Sequence, residues 1–261
     1  QEHMKATFQK FFQKGFRFFK LDGLGFSLPE GRRHEPQATS VSAYRLGLEV
    51  IRKAVPEATI LGCGAPFLPS LGLVDHCRVS NDTGREWSLP RQFPNSDGNP
   101  MPPGICNALH GTLANWWMID RWFRADPDAV MARQDNANYT IGEARLSVLT
   151  AIITGVAVTS DRLETISPER RSLLSCAANY RLQNPLPEAW ECDSWPQIFT
   201  GTYNGLRAAA ILNDAPQNMT YDLEKLFPDG HCREVLQGLG NLTGTLTLGP
   251  HDGAFLITGQ Q

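Results

Sequence analysis

The sequence has little that would indicate a metal, nucleic acid or membrane partner. Its six cysteines include no pair separated by two residues, so a zinc site is not predicted. A disulfide framework is not expected in a chain this large and apolar. No basic block is present and the net charge is −3, which argues against nucleic acid or an anionic membrane surface as a partner. No apolar run reaches 18 residues, so no membrane span is predicted.

The N-terminal segment also lacks the features of a signal peptide. Residues 1–14 contain no apolar central region and no small-residue cleavage site. They instead place Met4, Phe8 and Phe11 on one stripe of a helix. This pattern leaves the location of the protein open and favours the cytoplasm.

The chain is 261 residues long with 41% hydrophobic residues, which is enough for a substantial core. Up to residue 186, strand-like and helix-like segments alternate. Helices are predicted at 2–14, 42–55, 106–117, 140–154 and from Ser167 onward. Strands are predicted at 16–21, 58–63, 74–80, about 120–125 and 156–159. This order indicates an α/β fold, a parallel sheet of about five strands with helices on its outer face.

After residue 186 the pattern changes to short apolar segments separated by turn residues. They lie at 206–212, 232–236, 242–248 and 254–258. This spacing is typical of antiparallel strands. The predicted domains are therefore a catalytic α/β domain at 1–186 and an antiparallel β domain at 187–261.

Two short acidic motifs follow predicted strands of the first domain. One is Phe18-Phe19-Lys20-Leu21-Asp22, and the other is Arg78-Val79-Ser80-Asn81-Asp82. Because side chains alternate along a strand, Lys20 lies on the same face as Asp22 and Arg78 on the same face as Asp82. The carboxyl ends of strands in a β/α barrel form its active-site face, so the two aspartates are predicted to be functional.

Two carboxylates on one rim can hydrolyse a glycosidic bond. One attacks the anomeric carbon, and the other protonates the leaving oxygen and then activates water. The nearby cations would keep the nucleophile ionised. The acid needs a pKa above its ordinary value of about 3.9, and apolar cover from Trp87 could supply it.

Each of these residues also has an ordinary structural interpretation. An aspartate at a strand end is commonly a helix cap or a turn residue. Arg78 and Asp82 could pair with each other, and Cys63 could be a small core residue. From spacing alone, a glycosidase is one hypothesis among several.

Taken together, the motifs resemble those of the α-galactosidases of glycoside hydrolase family 36, in the clan shared with family 27. The matching stretches, in addition to the two acidic motifs, are Leu61 to Pro66, Gly72 to Asp75, Asp126-Pro127-Asp128 and Thr159-Ser160-Asp161. The resemblance implies a (β/α)8 TIM barrel, of which this chain supplies about strands 4–8, followed by a small antiparallel β-sandwich domain.

The resemblance also implies roles for individual residues. Asp22 matches the nucleophile and Asp82 the acid/base. Lys20 and Arg78 match residues that bind galactose hydroxyls, and Cys63 stands near the sugar's 2-position. Two further aspartates, Asp126 and Asp128, match a motif at the pocket floor, behind the substrate. The implied reaction is retaining hydrolysis of terminal α-D-galactosides without metal or cofactor, by a full-length enzyme that could be a homo-oligomer.

In that family the nucleophile follows the fourth of eight strands, whereas Asp22 lies near the start of this sequence. We therefore expect the chain to be part of a longer protein, with little activity alone. Three alternatives stay open: an α-N-acetylgalactosaminidase, a galactosyl transferase of the raffinose-synthase type, and an inactive carbohydrate-binding relative. Residues 23–40 and the surroundings of Cys63 would distinguish the two enzymes from an α-galactosidase.

Overall fold

A computed structural model describes residues 1–88, 103–188, 195–228 and 230–259. The sequence predicts a long loop rich in Pro, Asn and Gly at 81–105, and this loop lies partly outside the described residues. The described chain divides into two compact units, one of residues 1–78 with 118–125 and the other of residues 79–117 with 126–261. The predicted division at residue 187 stays a prediction.

The first unit alternates helices and strands. Its helices are α1 (Glu2–Gln13), α2 (Ser40–Ala54) and the short α3 (Phe67–Ser70). Its strands are β1 (Phe18–Leu21), β2 (Thr59–Gly62), β3 (His76–Arg78) and β4 (Arg124–Asp126), of which Asp126 belongs to the second unit. Helices α1 and α2 and strands β1, β2 and β3 agree with the predicted elements to within two residues at each end. Strand β4 begins four residues after the predicted start at about 120, and α3 was not predicted.

The strands of the first unit form a sheet in the order β1-β2-β3-β4. Strand β2 pairs in parallel with β1 and with β3. The sequence predicts about five strands here, and the described residues supply four, because 156–159 makes only an isolated bridge between Thr159 and Val130. The predicted strand at 156–159 is therefore wrong.

One apolar core holds helix α2 against this sheet. The sequence predicts a stripe of Tyr44, Leu48, Ile51 and Val55. The side chains that α2 buries recur on one face at helical spacing: Tyr44, Leu48, Ile51 and Ala54, and Val55 follows the helix and is also buried. They share a core with buried residues of the strands, including Ile60, Cys77 and Phe123. This core therefore packs α2 against side chains of β1, β2 and β3, the strands that lead to the predicted site residues.

The second unit contains the remaining elements. Its helices are α4 (Ile105–Ala114), α5 (Ile141–Thr154), α6 (Pro168–Asn179) and α7 (Leu223–Leu226). Its strands are β5 (Gln183–Pro187), β6 (Ile198–Tyr203), β7 (Leu206–Asn213), β8 (Met219–Asp222), β9 (Cys232–Glu234), β10 (Leu239–Leu242), β11 (Thr245–Leu248) and β12 (Asp252–Thr258).

These strands form two antiparallel sheets. Six lie in the order β10-β9-β12-β7-β6-β5, and β11 pairs with β8. Residues of both sheets, among them Ile211, Tyr221, Leu248 and Leu256, share one apolar core. The antiparallel β region that the sequence predicts is therefore present in the described residues.

Two details of this β region differ from the predictions. The predicted strand 242–248 is divided between β10 and β11, because Gly244 turns the chain with a φ of 70°. The predicted strand 232–236 ends at Glu234, whose carboxylate accepts hydrogen bonds from the backbone N–H groups of Leu236 and Gln237. These two N–H groups are therefore not available for hydrogen bonds with a neighbouring strand.

Helix α5 begins where its sequence motif predicts. The Thr140 hydroxyl accepts from the Glu143 N–H at 3.2 Å, and the Glu143 carboxylate accepts from the Thr140 N–H at 2.6 Å. These two bonds form a capping box, which satisfies two N–H groups that a helix start would otherwise leave unpaired. Gly155 ends the helix in the left-handed conformation.

Candidate functional site

In the first unit, four of the predicted site residues belong to adjacent strand ends. Lys20 and Asp22 lie at the carboxyl end of β1, Cys63 follows β2, and Arg78 ends β3. Parallel strands present their carboxyl ends at the same edge of a sheet, so the pairing of these strands brings the four side chains together. The prediction that the Asp22 and Asp82 carboxylates share one rim stays a prediction.

Backbone hydrogen bonds tie the loop after β1 to the loop after β2. The Cys63 N–H donates to the Leu21 carbonyl at 2.8 Å, and the Leu24 N–H donates to the Cys63 carbonyl at 3.3 Å. The Gly25 N–H donates to the Gly64 carbonyl at 2.6 Å. A Cβ at position 25 would lie only 2.9 Å from that carbonyl oxygen, so this close approach requires glycine.

The carboxylate of Asp22 is held in its ionised form by its neighbours. The Cys63 thiol donates a hydrogen bond to it, the Gly23 N–H donates another at 2.7 Å, and the Lys20 and Arg78 cations lie near enough to attract it. Together they hold the pKa of Asp22 below its usual value, against a smaller opposing effect of burial. Asp22 itself is exposed, so a substrate can reach this anion.

Cys63 connects Asp22 with Arg78. Its thiol is buried, and its sulfur lies 3.8 Å from Nη1 of Arg78, which donates to it. Burial and the hydrogen bond to Asp22 raise the pKa of Cys63 to about 11. The thiol is therefore protonated at neutral pH and acts as a hydrogen-bond donor to the carboxylate.

In the second unit, Asp82 belongs to a segment that covers the start of helix α4. The backbone carbonyls of Asp82, Glu86 and Trp87 accept hydrogen bonds from the N–H groups of Gly104, Ile105 and Cys106 at 3.0, 3.2 and 2.8 Å, respectively. These bonds satisfy N–H groups that a helix start leaves without intrahelical partners. The side chain of Asp82 is exposed beside this fixed backbone.

Asp126 and Asp128 position the residue next to Asp82. The Asp128 carboxylate accepts from the Thr83 N–H at 2.7 Å and from the Thr83 hydroxyl at 3.0 Å. Asp126 is buried, and its carboxylate accepts from the Asp128 N–H at 3.0 Å. Through these bonds the two aspartates hold the residue that follows Asp82. Their position at the floor of a sugar pocket stays a prediction.

Trp87 is partly buried, and its ring lies against the imidazole of His251 with the centroids 4.6 Å apart and the planes tilted by 39°. No pattern in the sequence indicates this contact. The role of Trp87 as cover for Asp82 stays a prediction.

A second group of ionisable residues, around His110 on α4, was not predicted from the sequence. Its Nε2 lies 2.7 Å from an Asp214 carboxylate oxygen, its Nδ1 lies 3.7 Å from the Cys106 sulfur, and the Trp195 ring stacks on it at 4.6 Å. Burial opposes its charge, but the hydrogen bonds with Asp214 and Cys106 outweigh burial and raise the pKa of His110 to about 9.

Only half of this cluster has a sequence signal. Cys106 and His110 are four residues apart on one helix, which places them on one face. Asp214 is 104 residues further along the chain, and no spacing rule connects it with the helix.

The described residues contain no group of three or more His, Cys, Asp or Glu side chains placed to hold a metal ion. None of the helices within this part of the chain is long and apolar enough to cross a membrane.

No protein-family model matches the sequence, but solved structures resemble it. One is an α-galactosidase from Thermus thermophilus in complex with p-nitrophenyl α-D-galactopyranoside. It is 30% identical in an alignment covering 75% of this chain and 38% of that chain, with a TM-score of 0.60. The chain therefore spans less than two fifths of the length of that enzyme.

Two more distant structures cover nearly the whole chain. α-Galactosidase I from Mortierella vinacea is 13% identical, with 100% of this chain and 72% of that chain aligned and a TM-score of 0.68. A family 27 β-L-arabinopyranosidase from Geobacillus stearothermophilus is 15% identical. The alignment covers 99% of this chain and 62% of that chain, with a TM-score of 0.69. At such identities the likeness concerns the fold alone.

The structural neighbours of this chain are thus α-galactosidases and related glycoside hydrolases. Their likeness confirms the expectation of a barrel-type α/β fold with an antiparallel β region. The number of barrel strands that this chain supplies stays a prediction.

Proposed function

We propose that this chain carries the catalytic carboxylates of a retaining glycoside hydrolase that acts on terminal α-D-galactosides. The enzyme would belong to glycoside hydrolase family 36, with Asp22 as nucleophile and Asp82 as acid/base. Because the chain spans 38% of the Thermus enzyme, the activity is proposed for the whole protein that contains this chain.

The observation that supports this proposal most strongly is the environment of Asp22. An exposed carboxylate at the carboxyl end of a parallel strand accepts hydrogen bonds from Gly23 and Cys63 and has two cations nearby. A nucleophile must be ionised when substrate binds, and these contacts stabilise the ionised form. They also fix the direction in which a carboxylate oxygen points.

In the first step, an Asp22 oxygen forms a bond to the anomeric carbon while the bond to the leaving oxygen breaks. Asp82 gives its proton to that oxygen. In the second step, Asp82 takes a proton from water, the water oxygen attacks the anomeric carbon, and the Asp22 carboxylate is released. Two inversions leave the anomeric configuration unchanged.

Lys20, Arg78 and Cys63 would bind galactose hydroxyls beside Asp22. Lys20 is exposed at the same edge as Asp22, so its ammonium can donate to a hydroxyl. Arg78 is buried and its Nη1 donates to Cys63, so its contribution is a fixed donor close to the nucleophile.

The test is the stereochemistry of hydrolysis. Proton NMR of the reaction with p-nitrophenyl α-D-galactopyranoside should show α-galactose as the first product, before mutarotation. β-Galactose as first product would contradict a retaining mechanism, and no hydrolysis of any α-galactoside would contradict the proposed function. In a crystal structure of the whole protein, the Asp22 and Asp82 carboxyl groups should lie roughly 5–5.5 Å apart.

A further inference from the structure

A cavity lies in the same unit as Asp82, and its lining begins at Thr83, the next residue. Its volume is about 530 Å3, and its lining includes Thr83, Arg85, Glu86, Met131, Asn136 and Asn138. This size is within the roughly 300–1,000 Å3 typical of small-molecule sites. None of the residues with a role in the proposed function lines this cavity.

The walls of the cavity are fixed to each other. The Asn138 N–H donates to the Arg85 carbonyl at 2.8 Å, and an Arg85 guanidinium nitrogen donates to the Asn136 side-chain oxygen at 2.7 Å. The Asn138 side-chain amide donates to the Glu86 carboxylate at 3.3 Å. Because the polar side chains are already oriented, a ligand would bind without ordering them first.

The chemistry of the lining favours a neutral ligand with many hydroxyl groups. Arg85 and Glu86 carry opposite charges, so neither an anion nor a cation is attracted by the cavity as a whole. The guanidinium and the amides donate hydrogen bonds, and the carboxylate and amide oxygens accept them. Met131 and Pro103 add an apolar surface against which the C–H groups of a sugar ring can pack.

The position of the cavity next to Asp82 indicates which part of the substrate it would bind. In the proposed reaction, Asp82 gives its proton to the leaving oxygen, so the leaving group lies on the Asp82 side of the bond that breaks. Thr83 directly follows Asp82 and lines the cavity. The bonds from Thr83 to Asp128 fix this start of the cavity wall.

We propose that the cavity lined by Thr83, Arg85, Glu86, Met131, Asn136 and Asn138 binds the sugar unit that leaves. This inference rests on the proposed function and goes beyond it, because it assigns substrate preference to residues outside the galactose site. Substrates whose leaving group is itself a sugar use the cavity, and aryl galactosides do not depend on it.

The experiment compares two substrates in three variants of the whole protein. Raffinose leaves sucrose, and p-nitrophenyl α-D-galactopyranoside leaves a phenolate. Arg85→Ala and Asn136→Gly remove polar groups of the cavity, and glycine tolerates the positive φ of 51° at position 136. Arg233→Ala, at an exposed arginine on β9, is the matched control.

Each cavity variant should lower kcat/KM for raffinose roughly 3- to 10-fold, the loss expected for one hydrogen bond. The value for the aryl galactoside should stay within about twofold of wild type, and Arg233→Ala should change neither. Equal losses on both substrates, or no loss on raffinose, would overturn the proposal.

Binding of sucrose separates this inference from the proposed function. Saturation-transfer NMR should detect sucrose on the wild-type protein and a weaker signal on Arg85→Ala. If the protein hydrolyses the aryl galactoside but does not bind sucrose, the cavity proposal fails and the proposed function stands. If it hydrolyses no α-galactoside, the proposed function fails and this inference fails with it.

Discussion

The thiol of Cys63 donates a hydrogen bond to the carboxylate of Asp22, and this bond is the strongest of the contacts that lower the pKa of Asp22. A nucleophilic carboxylate loses activity when it is protonated, so kcat/KM should fall as the pH drops through its pKa. In Cys63→Ala the donor is absent, the pKa of Asp22 rises toward its usual range, and the acidic limb of the pH profile should move to higher pH.

Cys63→Ser is the matched control for this prediction, because its hydroxyl keeps a donor of similar size at the same place. Its acidic limb should lie closer to that of wild type than the limb of Cys63→Ala. Identical profiles for Cys63→Ala and wild type would show that the thiol does not set the ionisation of Asp22.

Asp22→Ala should remove the nucleophile and lower turnover by several orders of magnitude, as loss of a nucleophile does in other covalent hydrolases. Added azide should restore part of the rate on p-nitrophenyl α-D-galactopyranoside, because a small anion can occupy the space of the carboxylate. Its product would be β-galactosyl azide, detectable by NMR. Glu57→Ala, at an exposed carboxylate in the first unit, should keep normal rates, and a normal rate for Asp22→Ala would contradict the assignment.

Asp82→Ala should affect substrates according to their leaving groups. Hydrolysis of raffinose needs a proton on the leaving oxygen and should slow roughly 10²- to 10⁴-fold. The first step on the aryl galactoside needs little protonation and should be spared, so pre-steady-state kinetics should show a rapid burst of nitrophenolate. The same loss on both substrates, with no burst, would argue against Asp82 as acid/base.

His110 and Asp214 should make stability depend on pH. The pKa of His110 is raised to about 9, and that of an unfolded histidine is about 6.5. The stability that protonated His110 adds to the folded state is therefore complete below pH 6.5 and is lost as the pH rises through 9. The hydrogen bond to His110 lowers the pKa of Asp214. The stability that ionised Asp214 adds is therefore present above its ordinary pKa of 3.8 and is lost at lower pH. The pair therefore stabilises the fold most between about pH 4 and 6.5.

His110→Gln tests this linkage. At pH 6 the variant should be less stable by about 1.5–3 kcal/mol, the value typical of a hydrogen bond to a charged group. Urea unfolding should show that the difference in free energy of unfolding between the variant and wild type becomes smaller as the pH rises from 6 to 9.5. His231→Gln, at an exposed histidine, should follow wild type throughout, and a difference that does not change with pH would contradict the linkage.

The sequence predicted most of the first unit because its signals are local. The apolar stripe of α2 and the aspartate after β1 can each be recognised within a few residues. Once parallel strands were predicted, their shared edge brought Asp22, Cys63 and Arg78 together. The position of a strand end therefore carries more information about this site than any single residue does.

What the sequence did not predict depends on distant partners. Strand β5 contains Pro185 and Pro187, which argue against a strand by propensity, but β5 is at the edge of its sheet, where missing N–H groups are tolerated. Conversely, 156–159 has a β-rich composition, but within the described part of the chain it makes only the single bridge between Thr159 and Val130. The pair His110 and Asp214 likewise exists only because α4 and the end of β7 meet in the fold.

The bonds from Thr83 to Asp128 have a consequence for how this protein can vary. One carboxylate oxygen accepts from both the backbone N–H and the hydroxyl of Thr83, so replacing Asp128 by a residue without an acceptor removes both of these bonds at once. Position 128 should therefore tolerate fewer replacements than position 83, where the backbone N–H is kept in any residue except proline. In a mutational scan, replacements at position 128 should reduce activity on sugar substrates before they reduce the amount of folded protein.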